Sequence, residues 1–233
     1  SYGFDLPDIN LSRLLGLILR ETDVPRIRVS SVQPQELTPE VLDLWSDPRL
    51  CPHFHLALQS GSDAVLKRMR RRYTAHQYVE VAETARRAVP NAAITTDVLV
   101  GFPGETEADF IKTQLICEHV RFAGIHVFPY SARPGTSATH FGDSVDPRTK
   151  ADRVSQIQSQ ARDDSIGFRR RFIGTTREVL WEQQNHDNSA AWSGLTDNYI
   201  RVECRSTEML ANKITPTLLQ TLENDLVVSQ AIL

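Results

Sequence analysis

Two rhythms of apolar residues alternate along the first 172 residues of this chain. Leu14, Leu15, Ile18 and Leu19 recur at helical spacing and predict an amphipathic helix over residues 11–20, with Ser12 placed to cap it. Residues 27–32 read as a strand that turns polar at Ser30, Ser31 and Gln33. Thr38 followed by Pro39 predicts the start of a short helix carrying Val41, Leu42 and Leu44. A second strand, residues 54–58, runs into Gln59-Ser60-Gly61, and Ser62 is placed to cap a helix carrying Val65, Leu66 and Met69. Thr74 and Gln77 form a capping box. The helix behind it sets Tyr78, Val81, Ala82, Ala85 and Val89 on one face and stops at Pro90. A third strand at 94–100, a helix at 107–120 and a fourth strand at 124–130 follow. A looser stretch, 131–147, then leads to a long polar helix over 148–172.

Strands separated by connections of helical length predict a parallel sheet with helices outside it. Strands that turn polar at their C-terminal ends suit a barrel whose site lies at that end. Four strands do not close a barrel, so the domain is either open or lacks strands. Beyond about residue 174 the helical spacing stops. Short β-rich runs at 177–181, 199–204 and 225–232, parted by polar turns such as 185–189, predict a small all-β module. The expected architecture is therefore an α/β domain, 1–172, followed by a β-barrel module, 173–233.

Composition narrows the function classes. Apolar residues make up 40% of the chain, enough for a core, and no apolar run approaches the length of a membrane span. No signal-peptide pattern is present, and three isolated cysteines suit a reducing cytoplasm. Cys51, Cys117 and Cys204 show no metal-ligand spacing, so no metal site is expected from them. The net charge of -3 gives no global sign of a polyanion partner. Local charge says more: Lys67, Arg68, Arg70, Arg71 and Arg72 cluster, as do Arg169, Arg170 and Arg171. Each cluster is either a solvated helix end or a phosphate contact. The opening, Ser1-Tyr2-Gly3-Phe4-Asp5-Leu6, reads like a loop already under way, so a fragment is expected.

The chemistry concentrates at the strand ends. Gly101, Pro103 and Gly104 make a stiff turn after the third strand, and the glycines leave room for a bound molecule to approach the backbone. Thr106 with Asp109 opens the next helix as a capping box. Asp97 lies inside an apolar strand, so it either joins an interior hydrogen-bonded network or orients a cofactor. Alternation sets His53, His55, Ala57 and Gln59 on one strand face. The two histidines could hold a metal, as in a barrel hydrolase; otherwise His55 and Gln59 hydrogen-bond a ligand or the interior. Arg133, in the loop after the fourth strand, reads either as an anion contact or as part of a rigid connector. In the β module, Asn198 and Arg201 flank a turn that could present an RNA-binding surface, and Trp181 and Trp192 are either core or stacking platforms. Eight acidic against four basic residues from Phe172 onward argue against a strong nonspecific grip on RNA.

The strings His55-Leu56-Ala57-Leu58-Gln59-Ser60-Gly61-Ser62-Asp63, Met69-Arg70-Arg71-Arg72-Tyr73-Thr74 and Thr95-Thr96-Asp97 through Gly101-Phe102-Pro103-Gly104-Glu105-Thr106 occur in this order. With Val127-Phe128-Pro129-Tyr130-Ser131 and Arg133-Pro134-Gly135-Thr136, they resemble the radical S-adenosylmethionine (SAM) methylthiotransferases that modify tRNA. Thr196-Asp197-Asn198-Tyr199 resembles that family's RNA-binding TRAM barrel. Arg121-Phe122, His126-Val127-Phe128 and Trp192-Ser193-Gly194 resemble the branch acting on N6-threonylcarbamoyladenosine beside the anticodon. The resemblance implies part of a TIM-like radical SAM barrel and then a TRAM barrel. It also implies S-adenosylmethionine as cofactor, two 4Fe-4S clusters in the full-length parent and tRNA as partner. The cofactor is expected over Ser31, Gln59, Asp97, Gly101, Pro103, Gly104 and Pro129, and the tRNA at Arg70, Arg71, Arg72, Arg133, Asn198 and Arg201. The family's C-x-x-x-C-x-x-C motif and a second set of cluster cysteines are absent from this chain. It is therefore expected to be a C-terminal part, inactive alone and completed by an N-terminal portion of the same polypeptide. A non-catalytic RNA-binding protein is the alternative. Gln33 departs from the acidic residue the family leads one to expect there.

Overall fold

The computed structural model describes residues 2, 3, 5, 8–142, 144–185 and 188–232. Ser1, Phe4 and Leu6 of the opening segment, and His186 and Asp187 of the polar turn, lie outside the described residues. The chain divides into two compact units, Ser1–Asp164 and Ser165–Leu233.

The first unit is built on a three-stranded parallel sheet in the order β1 (His53–His55), β2 (Ala93–Val100), β3 (Gly124–Pro129). Phe54, Leu56 and Leu58, with Ile94, Val98 and Val100, point to one face and are sealed from solvent. Helices cover that face because each carries its own apolar stripe. Tyr78, Ala82 and Ala85 come from α4 (Ala75–Ala88), and Phe110, Cys117 and Val120 from α5 (Glu107–Val120). Ile157 of the long helix α6 (Pro147–Arg170) completes the same core. The capping boxes at Thr74/Gln77 and Thr106/Asp109 start α4 and α5 as their sequences dictate.

Three expectations are corrected. The helix α1 (Leu11–Glu21) is capped by Asn10, whose side chain accepts from the Arg13 N–H, and not by Ser12. Residues 27–32 form no strand, although they run beside β1: only Ile27↔Leu50 and Val32↔Leu56 bridge, in parallel. Five steps on one side match six on the other, so a continuous ladder cannot hold its register, and Ser31 adopts φ 59°. The short helices α2 (Pro39–Leu42), capped by Thr38, and α3 (Asp63–Arg68) follow the sequence reading. Ser62, however, turns its hydroxyl to Asp109 of α5 instead of capping α3.

The second unit is a closed barrel of β4 (Thr176–Asn185), β5 (Asn188–Thr196), β6 (Arg201–Arg205), β7 (Ile214–Glu223) and β8 (Leu226–Ala231), ordered β4-β5-β6-β8-β7. All pairs are antiparallel except β6 with β8. Trp181 and Trp192 are buried in this unit, so both are core residues. Two of the five strands, β5 and β7, do not stand out in the sequence. β5 carries the small residues Ala191, Ser193 and Gly194, and β7 carries Pro216 and a register shift between Leu219 and Thr221. Both features blur strict alternation. Among the described residues, no helix is long and apolar enough to cross a membrane.

Candidate functional site at the strand ends

The sheet face opposite the helices is polar. Thr95 pairs in register with His55 and Gly124, and Asp97 with His126. His53 Nε2 and His55 Nδ1 both meet Thr95 Oγ1, at 2.9 and 3.0 Å. His55 Nε2 lies 3.2 Å from Asp97 Oδ2. With His55 donating to Asp97, its Nδ1 accepts the Thr95 hydroxyl, and Thr95 in turn accepts from His53. Both histidines are thus committed to one hydroxyl, and among the described residues no group of three His, Cys, Asp or Glu could hold a metal. The geometry therefore offers nothing to the metal-hydrolase reading.

Burial pushes His53 down to about 3, with Arg28 and His55 contributing. Its ordinary value of 6.5 applies once the chain unfolds, so the unfolded state binds one more proton between these two values. Stability should consequently rise with pH from about 3 to 6.5 and be flat above. Urea melts across this range should show a slope in the native protein of up to about 1.4 kcal/mol per pH unit, reduced in His53→Gln. An unchanged slope in that variant would show that His53 is protonated in the fold.

At the C-terminal ends of the strands this face opens into a cleft of about 590 Å³. It brings together six of the expected residues: Gln59, Arg70, Arg71, Asp97, Pro129 and Arg133. The local chain explains Gln59. Pairing runs at an offset of forty at His55↔Thr95 but thirty-nine at Gln59↔Val98, so the strand slips by one residue. The Thr96 hydroxyl fills the gap, accepting from the Leu58 N–H and donating to Leu56 O. Gln59 then takes φ 64°, a left-handed conformation rare outside glycine. Its backbone is pinned to β2 on both sides, donating to Asp97 O and accepting from the Leu99 N–H.

The glycine turn works differently from expectation. Gly101 and Gly104 have φ 71° and 77°, as such a turn requires. Yet the space a Cβ would take is already filled from within the protein. At Gly101 it holds the Lys150 side chain, whose Cγ lies 2.5 Å from where that Cβ would stand, and at Gly104 the Arg68 guanidinium. These glycines admit the neighbouring Lys150 and Arg68 side chains. Pro103 is buried in the turn. Behind it, Glu105 Oε2 accepts from the Gly101 N–H at 2.6 Å and from Arg153 Nη1 at 2.7 Å. Burial pushes the Glu105 carboxyl up, against the opposing pull of the Gly101 N–H and Arg153.

The remaining expected residues lie elsewhere. Ser31 is exposed near the end of the segment that runs beside β1, and neither it nor Arg72 lines the cleft. Asn198 is fully buried and accepts from the Thr196 hydroxyl, so its side chain serves its own turn and offers nothing to an RNA. Arg201 is exposed on the barrel unit, near Glu182 and Ser193. Arg68, noted in the sequence only as part of the basic cluster, also lines the cleft, as do Phe102, Tyr130 and Phe141, to which the sequence gave no site role. Phe102 packs edge-on against both Tyr130 and Phe141. Phe102 and Tyr130 sit inside strings already singled out; Phe141 lies in an unpatterned loop that gave no signal.

The Radical SAM superfamily profile matches residues 4–115. The chain is 39% identical to the threonylcarbamoyladenosine tRNA methylthiotransferase MtaB of Thermotoga maritima, over 87% of this chain and 46% of that protein. It is 36% identical to MtaB of Bacillus subtilis, over 91% of this chain and 48% of that protein. A tRNA-2-methylthio-N(6)-dimethylallyladenosine synthase of Syntrophobacter fumaroxidans matches at 38%, over 93% of this chain and 48% of that protein. Among solved structures, coproporphyrinogen III oxidase (HemN) from Escherichia coli, a radical SAM enzyme, aligns with a TM-score of 0.53. That alignment covers 80% of this chain and 50% of HemN at 16% identity, which is a likeness of fold alone. The chain spans about half the length of the curated relatives it matches. By sequence it is a relative of the radical S-adenosylmethionine tRNA methylthiotransferases.

Proposed function

We propose that this chain is a working part of a tRNA methylthiotransferase. Residues 1–172 would supply later strands of its radical SAM barrel and 173–233 its TRAM barrel. The reaction would add a methylthio group to the adenine of N6-threonylcarbamoyladenosine beside the anticodon. One observation carries the reading: Gln59, Asp97 and Pro129, in or just after parallel strands, share a cleft with Arg70, Arg71 and Arg133. Acceptors for a small polar cofactor thus adjoin cations suited to a phosphate backbone. The threonylcarbamoyl branch rests on the strings at Arg121, His126 and Trp192, since relatives of both branches match at similar identity.

The donor set fits S-adenosylmethionine. The half-buried Asp97 carboxylate complements a sulfonium and an ammonium, and the Gln59 amide can serve hydroxyl and carboxylate groups alike. When bound beside a reducing cluster, this cofactor supplies the adenosyl radical and the methyl group. An iron–sulfur cluster does not fit the described residues. Cys51, Cys117 and Cys204 are each buried, and no group of three ligands exists among those residues. Burial pushes the Cys117 thiol up to about 12, far from the thiolate a cluster needs. We assign the ligands of both clusters to polypeptide outside this chain, so the chain alone performs no methylthiolation.

Calorimetric titration with S-adenosylmethionine tests the reading. Asp97→Ala should weaken binding roughly ten-fold or more, in keeping with a lost charge-assisted contact. Gln59→Ala should cost less. Equal affinity in the native chain and Asp97→Ala would overturn the assignment.

A further inference from the structure

Arg68 has no task in the function just proposed, yet its side chain lines the cleft. It is the last residue of α3, and its head group lies against two surfaces. One is Gly104: a Cβ there would overlap the guanidinium, lying 2.5 Å from Cζ. The other is Phe141, whose ring centroid lies 5.5 Å from Cζ. Both surfaces are themselves anchored. Gly104 belongs to the turn that Glu105 ties through the Gly101 N–H, and Phe141 packs edge-on against Phe102. A long cationic side chain normally loses rotamer freedom when it binds an anion; one already seated loses little. Arg70, Arg71 and Arg133 line the same cleft, and Phe128, whose surface is half exposed, supplies a ring beside them. Guanidinium groups beside an exposed ring suit single-stranded nucleic acid, which offers phosphates and unstacked bases together.

We infer that Arg68, positioned by Gly104 and Phe141, binds a phosphodiester of a single-stranded RNA segment in this cleft. The inference rests on the tRNA reading above and deepens it. It also gives the glycine turn a role: Gly104 lacks a side chain so that an arginine can stand in its place.

The test is binding of the full chain to an RNA hairpin with an anticodon-sized single-stranded loop, measured by fluorescence anisotropy across a salt series. Arg68→Gln should weaken binding roughly ten-fold and flatten the plot of log affinity against log salt by about 0.7. Arg87→Gln, on the exposed face of α4, controls for simple loss of charge and should leave the slope unchanged. Gly104→Ala should weaken binding in the native background but not in Arg68→Gln, because a displaced guanidinium matters only where one exists. A double-mutant cycle cancels the backbone strain of alanine at this φ. Should Gly104→Ala fail to fold, Phe141→Leu removes the ring and leaves the turn intact; it should weaken binding only when Arg68 is present. Equal slopes for Arg68→Gln and Arg87→Gln, or additive effects in either cycle, would overturn the inference. If Arg71→Gln weakens binding while Arg68→Gln does not, this inference falls and the tRNA reading stands. Absence of RNA binding by every form overturns both. Weaker S-adenosylmethionine binding in Arg68→Gln, with RNA binding unchanged, would assign the arginine to the cofactor's carboxylate and also overturn it.

Discussion

Replacing Arg153 with leucine should destabilise the Ser1–Asp164 unit by about 3–5 kcal/mol. Arg153 projects from α6 with 5% of its side chain exposed, onto Glu105 with 1% exposed. Its second nitrogen reaches Glu107 at 3.0 Å, and its plane lies over Phe110. Leucine would fill part of the space but leave the Glu105 carboxylate buried without its cation. The surviving Gly101 N–H would then hold it alone. Burial already pushes Glu105 up, so losing Arg153 should raise it further and let it take a proton. The sign follows: the folded variant binds that proton at a higher pH than the unfolded chain. Its deficit should therefore shrink as pH falls toward the ordinary glutamate value of 4.5. Denaturant melts at neutral and mildly acidic pH measure both effects. Arg153→Leu combined with Glu105→Gln should recover much of the loss, because glutamine keeps an acceptor for Gly101 without a buried charge. A deficit below about 1 kcal/mol at neutral pH would mean that solvent reaches the pair.

This ion pair shows where the sequence stopped being informative. The capping boxes, the apolar stripe of α4 and the buried run of β2 were all legible, because each is a local pattern with one physical solution. Arg153 was not. It lies in a helix whose other positions are mostly polar and exposed, so a buried arginine there looks like any other solvated charge. Only the tertiary approach of α6 to the glycine turn distinguishes it. The strand expected at 27–32 failed for a related reason. Its composition suits a strand, but a ladder needs a partner in register, and the partner segment is one residue too long.

The candidate site was legible to a different depth at different positions. Gln59 and Asp97 stood out as polar residues in or just after apolar strand runs, whereas Pro129 entered only through the family resemblance. The arginines at 70 and 71 and Arg133 reach the same cleft through loops whose course no periodicity reveals. The glycines gave the right turn, and the structure adds the side chains that stand against it. A glycine announces that something comes close; whether that is a ligand, a lysine stem or a guanidinium depends on chain far away in sequence. Asn198 misled in the opposite direction, since a polar turn residue can satisfy its own backbone and vanish into the interior.

Gly61→Ala is expected to be the most damaging of the small substitutions. A Cβ at Gly61 would lie 2.6 Å from both Lys112 O and Thr113 Cα, which are backbone atoms of α5. Neither can swing aside as a side chain can, so the turn and the helix must separate. That separation breaks a linked set of bonds. The Gly61 N–H donates to Thr113 Oγ1 at 2.9 Å, and Ser62 Oγ donates to Asp109 Oδ1 at 2.6 Å. Asp109 in turn holds the start of α5 through Thr106. Overpacking combined with these losses should cost about 2–4 kcal/mol. Because Gln59 is two residues away on the same turn, the proposed binding of S-adenosylmethionine should weaken with it. Gly16→Ala gives the comparison. Gly16 sits inside α1 with nothing within 4 Å of its Cβ position, so the same added methyl should stabilise by about 0.5–1 kcal/mol through helix propensity. The two variants carry the same chemical change and opposite expected signs. Parallel thermal melts would separate them, and a Gly61→Ala protein as stable as the native chain would show that α5 does not lie against this turn.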